Sequence, residues 1–172
     1  TAFPPGPEKY PHIGHAKALL LNYLLAKEYG GKFVLRFEDT NPRLVKNEFY
    51  EIMKENFKWL GVKWDKLQYA SDNMDLFYSL GKKLIKSGDA YVCYCEREIA
   101  SKNRRAGIAC DCSKQTNQLE KWDKFFKAKQ GSAIVRLNID MEHKNTVMRD
   151  PAIFRIIDEK HARLGNKFRV WP

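Results

Sequence analysis

The chain has 172 residues, 31 of them Lys or Arg against 21 Asp or Glu, for a net charge of +10. Hydrophobic residues make up 44% and aromatics 13%, which excludes a disordered or collagen-like chain and fits one domain of ordinary size, alone or with a small insertion. No apolar run approaches membrane-span length, since Lys17 and Asn22 interrupt the longest at 16–25, and the positive excess favours a polyanionic partner.

Residues 1–3 read as the end of a short strand running into Pro4-Pro5-Gly6-Pro7, a rigid loop that cannot be helical. From 13 to 29 the period is that of a helix, with Ala16, Leu19, Leu20, Tyr23 and Leu24 on one face and Gly30-Gly31 as its stop. Residues 32–38 form a β-rich run suited to a buried strand. Asn41 then stands as N-cap and Pro42 as first residue of a second helix, which carries Val45, Phe49, Ile52, Met53 and Phe57. A strand at 67–70 leads to Ser71-Asp72, the expected cap of a third helix bearing Leu76, Leu80, Leu84 and Ile85. Strands and helices alternating at this spacing predict a parallel α/β sheet. Past a boundary at 87–90 the character changes. An extended stretch at 91–94 and a cysteine segment come first, then a helix near 119–127. A strand at 135–140 with period-two alternation follows, and further strands at 152–157 and 167–171.

His12-Ile13-Gly14-His15 lies between the proline loop and the first helix. The first helical N–H groups lack internal partners and carry the positive end of the dipole. Two imidazoles three residues apart project from that turn, and Gly14 lets a flat base lie against the backbone. This is the candidate phosphate site, although a bare His-x-x-His is more often a structural pair.

Cys93, Cys95, Cys110 and Cys112 form two Cys-x-Cys pairs fourteen residues apart. No signal-peptide pattern opens the sequence, so the expected compartment is the cytosol, where thiols stay reduced. Four soft thiolates at this spacing suit a tetrahedral zinc site; four free buried cysteines are the alternative.

Four segments carry a family resemblance: Phe3-Pro4-Pro5, His12-Ile13-Gly14-His15-Ala16-Lys17-Ala18, Leu35-Arg36-Phe37-Glu38-Asp39-Thr40-Asn41-Pro42 and Met148-Arg149-Asp150-Pro151. In this order they resemble the glutamyl/glutaminyl branch of class I aminoacyl-tRNA synthetases, its archaeal-type glutamyl-tRNA synthetases above all. The resemblance implies the first half of a Rossmann-like catalytic domain over 1–88. It also implies a zinc-containing α+β insertion that grips the tRNA acceptor end over 89–160, and a return strand over 161–172. ATP with Mg2+, glutamate and tRNA are the implied substrates: glutamate attacks the α-phosphate, then the terminal adenosine 2′-OH takes the acyl group. ATP would lie against Pro5, His12, Gly14 and His15, with the two histidines stabilising charge on the phosphates. Glu38 would hold the substrate ammonium, and Asp39, Thr40 and Asn41 are left as helix caps. Between the cysteine pairs, Arg97, Lys102, Arg104 and Arg105 are answered only by Glu96 and Glu98. A zinc-pinned basic loop there suits tRNA phosphates, with Lys102, Arg104 and Arg105 as contacts; a solvated helix face is the plainer reading for each side chain. Trp122, Phe125 and Phe126 could stack on bases, but their helical spacing assigns them to a core. His143 and His161 belong to no visible motif.

Some positions depart from the family. Ala2 stands where it has an arginine for the substrate carboxylate, Gly6 where it has a small polar or acidic residue, and Glu8-Lys9 where it has a Ser-Gly-like pair. Alternation puts Arg36 beside Glu38, as an ion-pair partner rather than a replacement cation. The family's Lys-Met-Ser-Lys-Ser-like loop and anticodon-binding domain are not in this sequence. The expectation is therefore an amino-terminal fragment or split subunit, inactive alone and completed by a second polypeptide. The alternatives are a non-catalytic tRNA-binding fragment or paralogue, a glutaminyl-tRNA synthetase, and a small nucleotidyltransferase. The last explains neither the 38–42 segment nor the cysteines.

Overall fold

A computed structural model describes residues 1–172, which divide into two compact units: Thr1–Met74 with Glu159–Lys167, and Asp75–Asp158 with Phe168–Pro172. The first is built on three parallel strands in the order β1 (Ala2–Phe3), β2 (Val34–Phe37) and β3 (Lys66–Tyr69). Helices α1 (Ile13–Glu28) and α2 (Asn47–Trp59) are the crossovers, as the alternating pattern predicts. Leu35 and Phe37 of β2 point into a core with Phe3, Leu19, Phe33, Met53 and Phe57, while Arg36 points out. On α1, Leu24 lies outside that core and is 58% exposed, contrary to expectation. Leucines at 19, 20, 21, 24 and 25 surround this helix, so their spacing chooses no face.

The second helix also begins later than its sequence signals suggest. Asn41 Oδ1 accepts from the Arg43 N–H (3.3 Å), and the Asn41 carbonyl takes the N–H groups of Leu44 and Val45. Asn41 therefore closes its own turn. Lys46 is extended and donates its N–H to the Pro7 carbonyl (3.2 Å), so the helix starts only at Asn47.

Helix α3 (Met74–Ser87) follows a 3-10 turn at Ala70–Asn73. It meets the second core through Phe77, Tyr78, Leu84 and Ile85, while Leu76 and Leu80 are about half exposed. Gly81 sets this rotation: a Cβ there would come 2.5 Å from Phe154 and 2.7 Å from Trp122, so those two rings lie directly on the helix backbone.

The second unit holds the antiparallel sheet β4 (Ala90–Cys93), β5 (Ile134–Leu137), β6 (Ala152–Ile156) and β7 (Val170–Trp171), in that order. Trp122 and Phe125 of α5 (Gln118–Phe125) are buried against it, as core residues. The alternation expected along 135–140 fails, because Val135 and Arg136 are both buried where the β5–β6 register shifts. Arg136 donates from Nε to the Asp150 carbonyl (2.8 Å), and its guanidinium lies 5.9 Å from the centre of the Tyr91 ring. The stretch expected to be a basic loop contains a helix, α4 (Arg97–Ala106). No helix is long and apolar enough to cross a membrane.

Candidate functional site

At the carboxyl edge of the parallel sheet, the chain leaves β1, passes through the proline loop and enters α1. His12 is the N-cap of α1, and its Nδ1 accepts the Gly14 N–H (3.1 Å). In return, His15 Nδ1 accepts the N–H of His12 (3.2 Å). This is a capping box in which imidazoles stand where Ser or Thr and Glu usually do. The rings lie 4.0 Å apart. Because both Nδ1 atoms accept from backbone, the hydrogen-bond network assigns the neutral ring proton to Nε2 in each. Each imidazole thus offers one N–H donor on its far side.

Two expectations change here. The amides of Gly14, His15 and Ala16 already have partners in His12, so the helix start offers a ligand its imidazoles more than its backbone. Gly14 has a second reason to lack a side chain: a Cβ would come 2.9 Å from His12 Cε1, displacing the capping ring. Burial first, then the charges of His12 and Lys9, lower the affinity of His15 for a second proton below its usual value.

The proline loop and the end of β2 are tied together, since Glu38 donates its N–H to the Pro5 carbonyl (3.0 Å). Glu38 Oε1 accepts from Arg36 Nε (3.0 Å) and Nη2 (2.6 Å), the pairing that alternation predicts. Both side chains stand about half exposed. Ala2 pairs in register with Val34 and brings no charge.

Asp39 was expected to cap a helix and does not. It is fully buried, and its carboxylate accepts from the Tyr50 hydroxyl (2.7 Å), the Ser71 N–H and hydroxyl (2.8 Å each) and Arg163 Nη1 (3.3 Å). Its carbonyl is 2.7 Å from Nε2 of buried His161. Burial, and then the bond to Asp39, push the Tyr50 phenol far up, so it stays a donor. Sequence reasoning missed His161 and Arg163, whose shared partner Asp39 lies more than a hundred residues away with no local motif to signal it.

In the second unit, one sulfur from each of Cys93, Cys95, Cys110 and Cys112 lies within 4.8 Å of the others, and all four thiols are free. Thiolates at about 2.3 Å from one tetrahedral centre lie about 3.8 Å apart. Cys93 and Cys110 are at 3.7 Å and Cys95 and Cys110 at 3.2 Å, so the donor set fits zinc. The Cys112 N–H donates to Cys110 Sγ (3.3 Å), a bond suited to a ligand sulfur. Burial drives the Cys110 thiol well above its usual range, so its thiolate form calls for a cation at the centre.

Helix α4 lies between the two cysteine pairs and buries no residue. The four basic residues of this segment do not act alike. Arg104 spends Nε and Nη2 on the Thr146 carbonyl (3.1 and 2.9 Å). Arg97, Lys102 and Arg105 are exposed, with Ser101, along an open concave surface.

The whole chain, residues 1–172, matches the family model described as tRNA synthetases class I (E and Q), catalytic domain. Glutamate–tRNA ligases of Cenarchaeum symbiosum and Nitrosopumilus maritimus are 51% and 50% identical over the full length of the chain, and that of Pyrococcus abyssi 45%. The chain spans 31% of the length of each of these relatives. A glutamate tRNA ligase from Elizabethkingia meningosepticum, solved in complex with its amino acid, superposes with a TM-score of 0.63 at 21% identity. That match covers 80% of this chain and 32% of the other and is a likeness of fold. With the family model and the archaeal relatives agreeing from first residue to last, the chain belongs to the catalytic domain of the class I tRNA synthetases for glutamate and glutamine.

Proposed function

We propose that this chain is the part of a glutamate–tRNA ligase that binds ATP and glutamate and meets the acceptor end of tRNA. The whole protein would activate glutamate with ATP and transfer it to the tRNA 3′ end. The observation that carries the reading is the reciprocal histidine cap, which leaves two Nε2–H donors at the carboxyl edge of a parallel sheet. Ligands of open α/β sheets gather at that edge. Donors already held by backbone need no reorganisation as charge grows on the α-phosphate, so His12 and His15 act by electrostatic preorganisation. ATP, with Mg2+, would lie along Pro5, His12, Gly14 and His15. Glu38 would take the ammonium of glutamate through Oε2, since Oε1 holds Arg36.

Lys102 and Arg105 would meet tRNA phosphates. Cys93, Cys95, Cys110 and Cys112 would hold a structural Zn2+, which supplies the closure of the two knuckles. Residues 1–88 would then be the nucleotide-binding half and 89–160 the acceptor-binding insertion. A non-catalytic RNA-binding role is the second reading, favoured by Ala2, which gives a substrate carboxylate no cation on β1.

A hybrid tests this: these 172 residues replace the matched segment of the Nitrosopumilus maritimus ligase, and glutamate-dependent ATP–pyrophosphate exchange is followed. Exchange is expected, reduced about 10²–10³-fold or more by His12→Ala with His15→Ala. A folded hybrid that binds tRNA but shows no exchange favours the second reading and overturns the first.

A further inference from the structure

Helix α4 has ten residues and no hydrophobic seat, and a helix that short is marginal in water. Something else holds it. At its amino end the N-cap Glu96 makes no side-chain cap bond, and Cys93 and Cys95 immediately precede. At its carboxyl end the chain turns through Gly107 at φ 72°, and Arg149 reaches in from forty-odd residues away. Arg149 Nη1 donates to the carbonyls of Arg104 (3.1 Å) and Arg105 (2.9 Å), and its Nε to the carbonyl of His143 (2.6 Å). Last-turn carbonyls lack helical partners and carry the negative end of the dipole, so a guanidinium fits them in both hydrogen bonding and charge. Arg104 returns the contact through its two bonds to the Thr146 carbonyl. Asn145 Oδ1 caps the same turn by accepting the Val147 N–H (3.0 Å).

We propose that Arg149 and Arg104 form a reciprocal clasp which, with the four-cysteine metal site at the other end, orients α4 so that Arg97, Lys102 and Arg105 face RNA phosphates. The RNA part rests on the function proposed above; the clasp does not. Arg104 and Arg149 are positioning residues and touch no RNA. At 100° per residue, Arg97, Ser101, Arg105 and Lys102 fall on one side of the helix, with the single carboxylate of Glu98 among them, and Asn103, Ala100 and Arg104 on the adjoining side. The second group is half buried and the first exposed, as a helix held by one edge requires. Arg97, Lys102 and Arg105 make no ion pair in the chain, so their charge is available to a polyanion.

The test uses the zinc-loaded chain, with hydrogen exchange of the 97–106 amides beside affinity for an RNA hairpin bearing a single-stranded 3′ end, measured across salt concentrations. Arg149→Ala should speed exchange in α4 about tenfold or more, leave the β2 amides unchanged, and weaken RNA binding. Arg149→Lys, which keeps the charge but not the fork, should restore part of both. Arg104→Ala should act like Arg149→Ala, which keeps the proposal testable if the latter folds poorly. By contrast, Arg105→Ala should leave exchange unaltered and reduce the slope of log K against log salt by about 0.7–0.9, one phosphate contact. Unchanged α4 exchange in Arg149→Ala overturns the clasp; if the salt slope falls there as well, Arg149 is itself a phosphate ligand. Failure of the unaltered chain to bind the hairpin overturns the RNA reading, while the exchange result still decides the clasp.

Discussion

Helices α2 and α4 are of similar length and are held by opposite means. Helix α2 lays Tyr50, Met53 and Phe57 into a core and buries Phe49 as well, so its location is written in its own periodicity. Helix α4 buries nothing, and its location depends on four cysteines outside it and an arginine more than forty residues on. A helix seated by apolar side chains loses its place gradually, one contact at a time. A helix held at its two ends loses it when either end lets go.

The largest expected break in this contrast is metal removal. Chelation should abolish exchange protection across 93–114 while the amides of Leu35 and Phe37 stay protected. Structural zinc contributes about 10–16 kcal/mol to the folding of zinc-finger peptides, far more than any single side chain. Elemental analysis showing well below one zinc per chain would remove the basis for the comparison. Next in size, Phe57→Ala should cost about 3–5 kcal/mol in urea unfolding, because Phe57 fills the first core. Ile99→Ala on α4 should stay within about 0.5 kcal/mol, since Ile99 is already half exposed. Equal costs would show that α4 has an apolar seat after all.

Gly81→Ala should destabilise the second unit by about 1–3 kcal/mol, because the new methyl meets Phe154 and Trp122. A neutral result would mean that α3 shifts freely on those rings. The smallest effect is at the histidine cap. The folded state binds a proton on His15 less readily than the unfolded chain does. Stability is therefore full above the unfolded value near 6.5 and falls as pH drops below it. His15→Gln keeps an acceptor at that helical position and removes the titration. Urea midpoints at pH 7.5 and 5.5 should differ less in the variant than in the parent.

The parallel strands, their crossovers, the Arg36–Glu38 pair and the cysteine cluster were all legible in the sequence. Each is a local pattern: alternation, helical period, or paired spacing. What could not be read depends on distant partners. Asn41 looks like a cap until Lys46 is drawn to the Pro7 carbonyl. Arg136 looks like the outward residue of an alternating strand until Asp150 and Tyr91 receive it. Asp150 itself sits at φ 42°, with its carboxylate taken by the Tyr91 hydroxyl and the Ile139 N–H. Leu24, Leu76 and Leu80 share the period of their helices but not the buried face, because apolar residues on several sides leave the choice to packing.

The buried carboxylate of Asp39 has a consequence for how the chain is made. Its partners Tyr50 and Ser71 leave the ribosome soon after it, but His161 is 122 residues later and Arg163 is 124. At about 5–20 residues per second, that interval is roughly 6–25 s of synthesis. Once β3 has emerged, the first unit has its sheet, both crossover helices and most of its apolar core, yet lacks the Arg163 guanidinium that pairs with the fully buried Asp39 carboxylate. Until then the Asp39 carboxylate has only the Tyr50 and Ser71 donors, so the strand end that carries Glu38 sets last, when the 159–167 segment arrives.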